Sequence, residues 1–196
     1  MNKALFKQMV EEKIIILDGA TGTELQKRGL PQDVSPELWV LEHPEILKDI
    51  QASYIEAGSD IILTCTFGAN RLKLKEFGHA DRVVELNREL ARLSKSVAGS
   101  RALVAGDLAP TGQFVEPFGT MQFDYLVDVY KEQVRGLLAG GVDLFVIETM
   151  IDLQETRAAI LAIKETCDLP VIASMTFDTS AKTLTGSDPV TVLITL

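Results

Sequence analysis

The sequence predicts an α/β protein built around a parallel β-sheet, and three observations lead to this fold class. Short runs of Val, Ile and Leu alternate along the chain with longer segments in which apolar residues recur at helical spacing. The short runs are apolar throughout, as in strands that are covered on both faces. Two helical segments end in glycine directly before the next run, in EAGSDIIL and LAGGVDLFVIE. This repeated strand–helix order is typical of parallel α/β folds.

Five strands are predicted, each of them a short apolar run bounded by glycine or polar residues. In chain order they are Ile14–Leu17, Asp60–Thr64, Ala102–Ala105, Leu144–Ile147 and Val171–Ala173. Because parallel strands point the same way, we expect their carboxyl ends to meet at one rim of the sheet.

Four helices are predicted between the strands, and they are Pro36–Ala57, Ala80–Ala98, Phe123–Ala139 and Leu153–Thr166. Ser35 and Asp152 come directly before the first and the last of them. Short polar side chains at such positions accept hydrogen bonds from the free N–H groups of a helix start. The final segment, VTVLITL, is predicted to begin a fifth helix.

Composition and charge exclude several classes of function. The chain has 196 residues, 46% hydrophobic and 24% charged, which is ordinary for one globular domain. A formal net charge of −9 argues against a nucleic-acid or anionic-membrane partner. The N-terminus has no apolar signal segment, and no apolar run approaches the roughly 18 residues of a membrane span. Cys65 and Cys167 form no disulfide framework, so we expect two reduced thiols in a cytoplasmic protein.

Acidic residues follow four of the five predicted strands. They are Asp18, Asp107, Glu148 and Asp178. Glu148 ends the apolar run LFVIE, where a carboxylate loses hydration unless it finds a partner. Asp18 and Glu148 together indicate a receptor for a cationic group, such as the amine of an amino acid, and a general acid–base pair is the alternative. Asp18 is also compatible with capping of the following turn, and Asp107 with bracing of its loop.

Other motifs give weaker signals. The backbone N–H groups around Gly19–Thr21 are compatible with binding a ligand carboxylate or with a tight turn. GATGTELQKRG matches neither GxGxxG nor the P-loop, which argues against a phosphate site. His43 and His79 show no metal-binding spacing, and we assign no metal ligand to them.

The segments around these strand ends, taken together, resemble the homocysteine S-methyltransferase family. This family includes the homocysteine-binding module of cobalamin-dependent methionine synthase and the betaine–homocysteine methyltransferases. The matching segments run in the family's order along nearly the whole chain, and they are ILDGATGTELQKRG, SYIEAGSDIILTCTFGANRLKL, GDLAPTG, GVDLFVIETM and MTFD with LTGSDP.

The resemblance implies a (β/α)8 TIM barrel, of which this chain has roughly the first five β/α units. It also implies a zinc ion held by cysteine thiolates, which activates the homocysteine thiol as a nucleophile. Asp18 and Glu148 are expected to hold the homocysteine amino group. The full set of substrate-binding positions implied by the resemblance is Asp18, Gly19, Ala20, Thr21, Thr66, Phe67 and Glu148.

The second substrate in this family is a methyl donor. The resemblance implies methylcobalamin, a folate acting through cobalamin, or a sulfonium or betaine compound as that donor, with methionine as the product. Cobalamin would be bound by other domains.

The sequence departs from the family at the metal site. The family's zinc cysteines lie in later motifs similar to NC..GP and GGCCGT, and neither motif is present. Cys65 and Cys167 match neither of them, so we assign no metal ligand and no catalytic residue. A closed barrel has eight strands and typically about 250 residues. We therefore expect residues 1–196 to be the N-terminal portion of a homocysteine-binding barrel, truncated before strands six to eight and inactive alone.

The open edge of such a partial barrel invites pairing with another chain. The alternative functional prediction is therefore a non-catalytic, metal-free partial barrel that binds an amino-acid ligand or self-associates through this edge. A barrel enzyme of another kind, with Asp18 and Glu148 as acid and base, is a further alternative.

Overall fold

The computed structural model describes residues 1–196 and contains four parallel strands and nine helices. The strands are β1 (Ile61–Leu63), β2 (Leu103–Leu108), β3 (Leu144–Met150) and β4 (Val171–Met175). They pair in the order β1-β2-β3-β4. The helices are α1 (Lys3–Glu12), α2 (Thr21–Lys27), α3 (Pro36–Glu42), α4 (Pro44–Glu56), α5 (Arg71–Glu76), α6 (Val83–Ala98), α7 (Phe123–Gly140), α8 (Leu153–Thr166) and α9 (Pro189–Thr195).

The first predicted strand, Ile14–Leu17, is wrong as a regular strand. Leu17 forms only an isolated parallel bridge with Ile61, although the Asp60 N–H also donates to the Ile16 carbonyl at 2.8 Å. The segment lies beside β1, but its backbone hydrogen bonds to the β1 side involve only Ile16 and Asp18, which is too few to make a continuous ladder. The sheet therefore has five positions, of which four hold regular strands.

The helix predictions are confirmed for α7 and α8, where the ends agree within one residue. The predicted helix Pro36–Ala57 divides into α3 and α4 at Pro44, because proline lacks the N–H that would continue the helix. The predicted Ala80–Ala98 begins three residues later, at Val83. The short helices α1, α2 and α5 were not predicted.

Side chains alternate between the two faces of the sheet. The outer face packs on α6, α7 and α8, and its strand residues include Ile62, Val104, Phe145 and Ile147. The inner face forms a separate cluster, whose buried members are Ile61, Ala105, Leu144 and Val146. Phe6 of α1 and Ile15 cover part of this inner cluster.

The same alternation brings two acidic side chains to the inner face. Asp107 lies two residues beyond Ala105 on β2, and Glu148 lies two residues beyond Val146 on β3. The register pairs Asp107 with Val146, so the two carboxyl groups project from neighbouring strands. A polar layer therefore replaces the apolar inner cluster at the carboxyl ends of the strands.

Several apolar side chains remain uncovered. Val190, Leu193 and Ile194 of α9 are 64%, 81% and 80% exposed, and Leu184 is 70% exposed. The strand β4 pairs only with β3 and is incompletely buried. None of the helices combines the length and the apolar character needed to cross a bilayer.

Helices α6 and α7 approach closely because α7 has glycine at the contact. A Cβ on Gly140 would lie 2.4 Å from the Ala91 Cβ and 2.8 Å from the Arg88 carbonyl oxygen. Neither a backbone oxygen nor a helix-bound alanine can move away without shifting α6.

The variant G140A should lower the free energy of unfolding by about 1–3 kcal/mol, since the helices must separate to admit the methyl group. Urea unfolding measures this loss. The matched control is G22A in α2, where a Cβ meets no atom within 4 Å and the expected change is a gain of about 0.5–1 kcal/mol. A G140A protein as stable as the wild type would contradict the close packing.

Candidate functional site

A cavity of about 820 Å³ opens at the carboxyl ends of the strands, and we call it the rim cavity. Its size suits a small metabolite. Its walls come from the segment that follows the first strand position, from the loop that follows β1, and from α2, α3 and α5. The strands β2 and β3 contribute Asp107 and Glu148, which lie near their carboxyl ends. The residues that line it are Leu17, Asp18, Gly19, Ala20, Thr21, Gly22, Thr23, Leu25, Pro36, Glu37, Leu63, Thr64, Cys65, Phe67, Gly68, Lys73, Glu76, Phe77, Asp107 and Glu148.

Three of the four acidic residues that follow predicted strands meet in the rim cavity. They are Asp18, Asp107 and Glu148. Asp178 does not join them, because it is exposed and its carboxylate accepts hydrogen bonds from the backbone N–H groups of Ser180 and Lys182. Asp178 therefore orders its own turn.

Asp18 is fixed to the sheet by a backbone donor. Its Oδ2 atom accepts a hydrogen bond from the Leu63 N–H at 3.0 Å. Burial raises the pKa of Asp18 from 3.8 to about 7, against the lowering effect of the Leu63 N–H, and the nearby Glu148 raises it further. Near neutral pH this carboxyl group therefore exists in both charge states.

Glu148 projects into the rim cavity beside an irregularity of β3. The register of β3 against β4 shifts between Ile147 and Met150, as in a β-bulge, and Thr149 has a φ of 58°. A β-branched residue rarely adopts this left-handed conformation, which tends to occur where backbone is held for function. Burial raises the pKa of Glu148, and its carboxyl group makes no hydrogen bond within the protein. Glu148 therefore has a half-buried carboxyl group whose ionisation is opposed by burial and which the protein itself leaves without a partner.

The segment Gly19–Thr21 is held against α4. The Tyr54 hydroxyl donates to the Ala20 carbonyl at 3.0 Å, and a Cβ on Gly19 would lie 2.8 Å from the Tyr54 ring. A larger residue here would require the end of the Tyr54 side chain to move. The N–H groups of Gly19 and Ala20 have no acceptor within the protein, so they remain available to a ligand.

Thr66 and Phe67 have different positions. The Phe67 ring lines the rim cavity and is 43% exposed. Thr66 is fully buried, and its hydroxyl donates to the Asp107 carbonyl at 2.8 Å and pairs with the Thr64 hydroxyl at 2.6 Å. Thr66 was predicted to contact the substrate, but its side chain does not line the rim cavity and is hydrogen-bonded to the backbone of β2 instead.

Glu37 is a cavity residue that the sequence did not reveal. It is only 4% exposed, and its two carboxylate oxygens accept from the Gly68 N–H at 2.6 Å and from the Ser35 hydroxyl at 2.5 Å. Glu37 thereby ties the loop after β1 to the start of α3. The sequence showed only an acidic residue in the first turn of a helix, a common surface feature.

Cys65 is the one thiol in the rim cavity. Burial raises its pKa well above the ordinary value, and the acidic groups of Glu37 and Asp107 raise it further. Cys167 lies elsewhere, at the end of α8. No three His, Cys, Asp or Glu side chains come together in a geometry that could hold a metal ion. The residues present therefore do not fit a zinc ion held by cysteine thiolates.

A family model described as Homocysteine S-methyltransferase matches residues 15–196. The chain belongs to the homocysteine S-methyltransferase family. The methionine synthase of Mycobacterium tuberculosis is 30% identical over 197 residues, an alignment that covers 92% of this chain. The chain spans 16% of the length of that relative.

Solved structures establish the fold of this family member. The homocysteine methyltransferase MmuM from Escherichia coli, in its metallated form, matches with a TM-score of 0.81 at 23% identity, over 97% of this chain and 73% of that one. The apo form of MmuM matches with a TM-score of 0.67 at 25% identity, over 95% and 69%. The predicted fold class is confirmed, since the chain has the (β/α)8 TIM-barrel fold, represented by its first β/α units.

The variant E37A should lower the free energy of unfolding by about 2 kcal/mol, since the half-buried Gly68 N–H and the buried Ser35 hydroxyl lose their acceptor. E37Q keeps one acceptor oxygen and should lose less. Urea unfolding compares the variants, with E42A in the exposed last turn of α3 as the control, expected within about 0.5 kcal/mol of wild type. Equal losses in E37A and E42A would contradict the role of Glu37.

Proposed function

We propose that the rim cavity binds homocysteine by its amino group, as part of a barrel that transfers a methyl group to the homocysteine thiol. The observation that carries this proposal is the meeting of Asp18 and Glu148 in one cavity of a family member. Burial opposes the charge on both groups, and a bound cation relieves that cost. An amino-acid ammonium group is a cation of suitable size and shape.

The remainder of an amino acid also finds partners in this cavity. The free N–H groups of Gly19 and Ala20 are suitable donors to the α-carboxylate. Phe67 offers an apolar surface to the methylene groups, and Thr21 lies in the same wall. These contacts support Asp18, Gly19, Ala20, Thr21, Phe67 and Glu148 as substrate-binding residues, and they give Thr66 an indirect, bracing role.

For the whole protein we propose a zinc-dependent methyltransferase whose metal ligands lie outside residues 1–196. The similarity to a methionine synthase favours methylcobalamin as the methyl donor, with cobalamin bound by other parts of a longer chain. A sulfonium or betaine donor is the alternative. In this proposal residues 1–196 are the N-terminal portion of the homocysteine-binding barrel, and they do not transfer a methyl group alone.

One observation favours a second candidate, a metal-free partial barrel that binds an amino acid or self-associates. The strand β4 pairs on one side only, and the side chains of α9 are strongly exposed. Unpaired strand edges and exposed apolar groups promote association. Reduced, separate thiols at Cys65 and Cys167 support a cytoplasmic location for either candidate.

Binding of homocysteine should strengthen roughly tenfold between pH 6 and pH 8. The pKa of Asp18 is about 7. At a pH below this value the Asp18 carboxyl group must lose a proton before it can pair with the ammonium group, whereas at a higher pH the carboxylate is already formed. Titration of the chain with reduced L-homocysteine, followed by NMR or calorimetry, measures the affinity.

Three controls accompany that titration. D18N should bind more weakly and show little change with pH, and E148Q should also bind more weakly. The analogue 4-mercaptobutanoate has no amino group, so its affinity should not rise with pH. Equal binding of homocysteine and the analogue to the wild-type chain would overturn the proposed amino-group receptor.

Residues 1–196 supplied with zinc, homocysteine and methylcobalamin or S-methylmethionine should form no methionine, because the metal ligands are missing. Mass spectrometry of the products tests this directly. Zinc-dependent methionine formation by the chain alone would contradict the proposal that the metal ligands lie outside residues 1–196. Sedimentation of the same sample tests the second candidate, which requires a stable oligomer.

A further inference from the structure

We propose that Asp107 is a third ligand-binding residue of the rim cavity, whose carboxyl group accepts a hydrogen bond from the ligand's ammonium group beside Asp18 and Glu148. This inference rests on the proposed function and extends it. An ammonium group has three N–H donors, and Asp18 and Glu148 provide acceptors for two of them. Asp107 provides the third acceptor.

The carboxyl group of Asp107 has no partner within the protein. The residue is 4% exposed, and its Oδ1 atom is buried without any hydrogen bond. An unsatisfied buried polar group is costly, and native proteins rarely keep one without a reason. A role in bracing the loop does not supply that reason, because bracing requires a contact that this carboxyl group lacks.

The backbone of Asp107, in contrast, is held firmly. Its N–H donates to the Thr64 hydroxyl at 3.0 Å, and its carbonyl accepts from the Thr66 hydroxyl at 2.8 Å and from the Gln133 side chain at 3.4 Å. Any residue could make these main-chain contacts. They fix the side chain on the inner face, where it lines the rim cavity next to Glu148.

The charges around Asp107 favour an uncharged carboxyl group in the empty cavity. Burial raises its pKa well above the ordinary value, and Glu148, Asp18 and Glu37 raise it further. The Cys65 thiol also faces this group, and Lys73 is the only basic residue that lines the cavity. An uncharged carboxyl group still offers an oxygen acceptor, and it avoids a further negative charge beside two carboxylates.

The test compares D107A, D107V and D107N with the wild-type chain, using reduced L-homocysteine and 4-mercaptobutanoate as ligands at pH 8. D107A and D107V should bind homocysteine roughly tenfold more weakly, since each removes an acceptor for a charged donor. They should bind 4-mercaptobutanoate as the wild type does. D107N keeps an oxygen acceptor and should stay within about twofold of wild type.

The control variant is D33A, which removes an exposed aspartate outside the cavity and should change neither affinity. Thermal unfolding checks that each variant is folded, and D107V serves if D107A is not, since valine fills the space. If D107A and D107V bind homocysteine as the wild type does, or lose equal affinity for both ligands, the proposed contact between Asp107 and the ammonium group is wrong. If D107N binds homocysteine tenfold more weakly, the proposal that Asp107 acts as an uncharged acceptor is wrong.

The outcomes separate this inference from the function on which it rests. If the wild-type chain prefers homocysteine over the analogue and D107A keeps that preference, the third contact alone is wrong. If the wild-type chain shows no such preference, the proposed receptor for the amino group is wrong, and the proposed contact of Asp107 is then wrong as well.

Discussion

The parallel register between β2 and β3 is the constraint on which the rest of the site depends. It pairs Asp107 with Val146 and so brings Asp107 and Glu148 to the same face of neighbouring strands. The apolar inner cluster lies beneath them and excludes water from below. Asp18 joins them from the first strand position, because the Leu63 N–H holds its carboxylate. Three acidic groups thus meet where hydration is poor, which raises the pKa of each.

Such an arrangement persists only if the surrounding backbone prevents the acidic groups from turning to solvent. Tyr54 holds Ala20, Glu37 holds Gly68, and Thr66 holds the carbonyl of Asp107. None of these contacts reaches a ligand directly. They keep the cavity walls in place, while the carboxyl groups of Asp107 and Glu148 have no hydrogen-bond partner within the protein. The proposed ammonium ligand would supply that missing partner.

Much of this could be predicted from the sequence, because several signals are local. Apolar periodicity with a glycine stop was sufficient for α7, and apolar periodicity after the N-cap residue Asp152 was sufficient for α8. The acidic ends of apolar runs predicted that Asp18 and Glu148 lie at one rim, and both line the rim cavity. The failures needed information from distant parts of the chain. Ile14–Leu17 has strand composition but forms only an isolated bridge with β1, and Thr66 lies in a rim motif but turns inward toward Asp107. Glu37 became visible only through its burial, since its partner Gly68 lies 31 positions away along the chain.

In the proposed site the rim cavity holds acidic groups whose ionisation burial opposes, and a bound ammonium group relieves that cost. The most direct test is a carboxyl ¹³C NMR titration of aspartate-labelled protein, with and without saturating homocysteine, and with D18N to assign the Asp18 signal. We expect a midpoint near pH 7 for Asp18 in the empty cavity, and a clear shift of that midpoint to lower pH when homocysteine is bound. An ordinary aspartate midpoint in the empty cavity, or a midpoint that homocysteine does not change, would contradict this proposal.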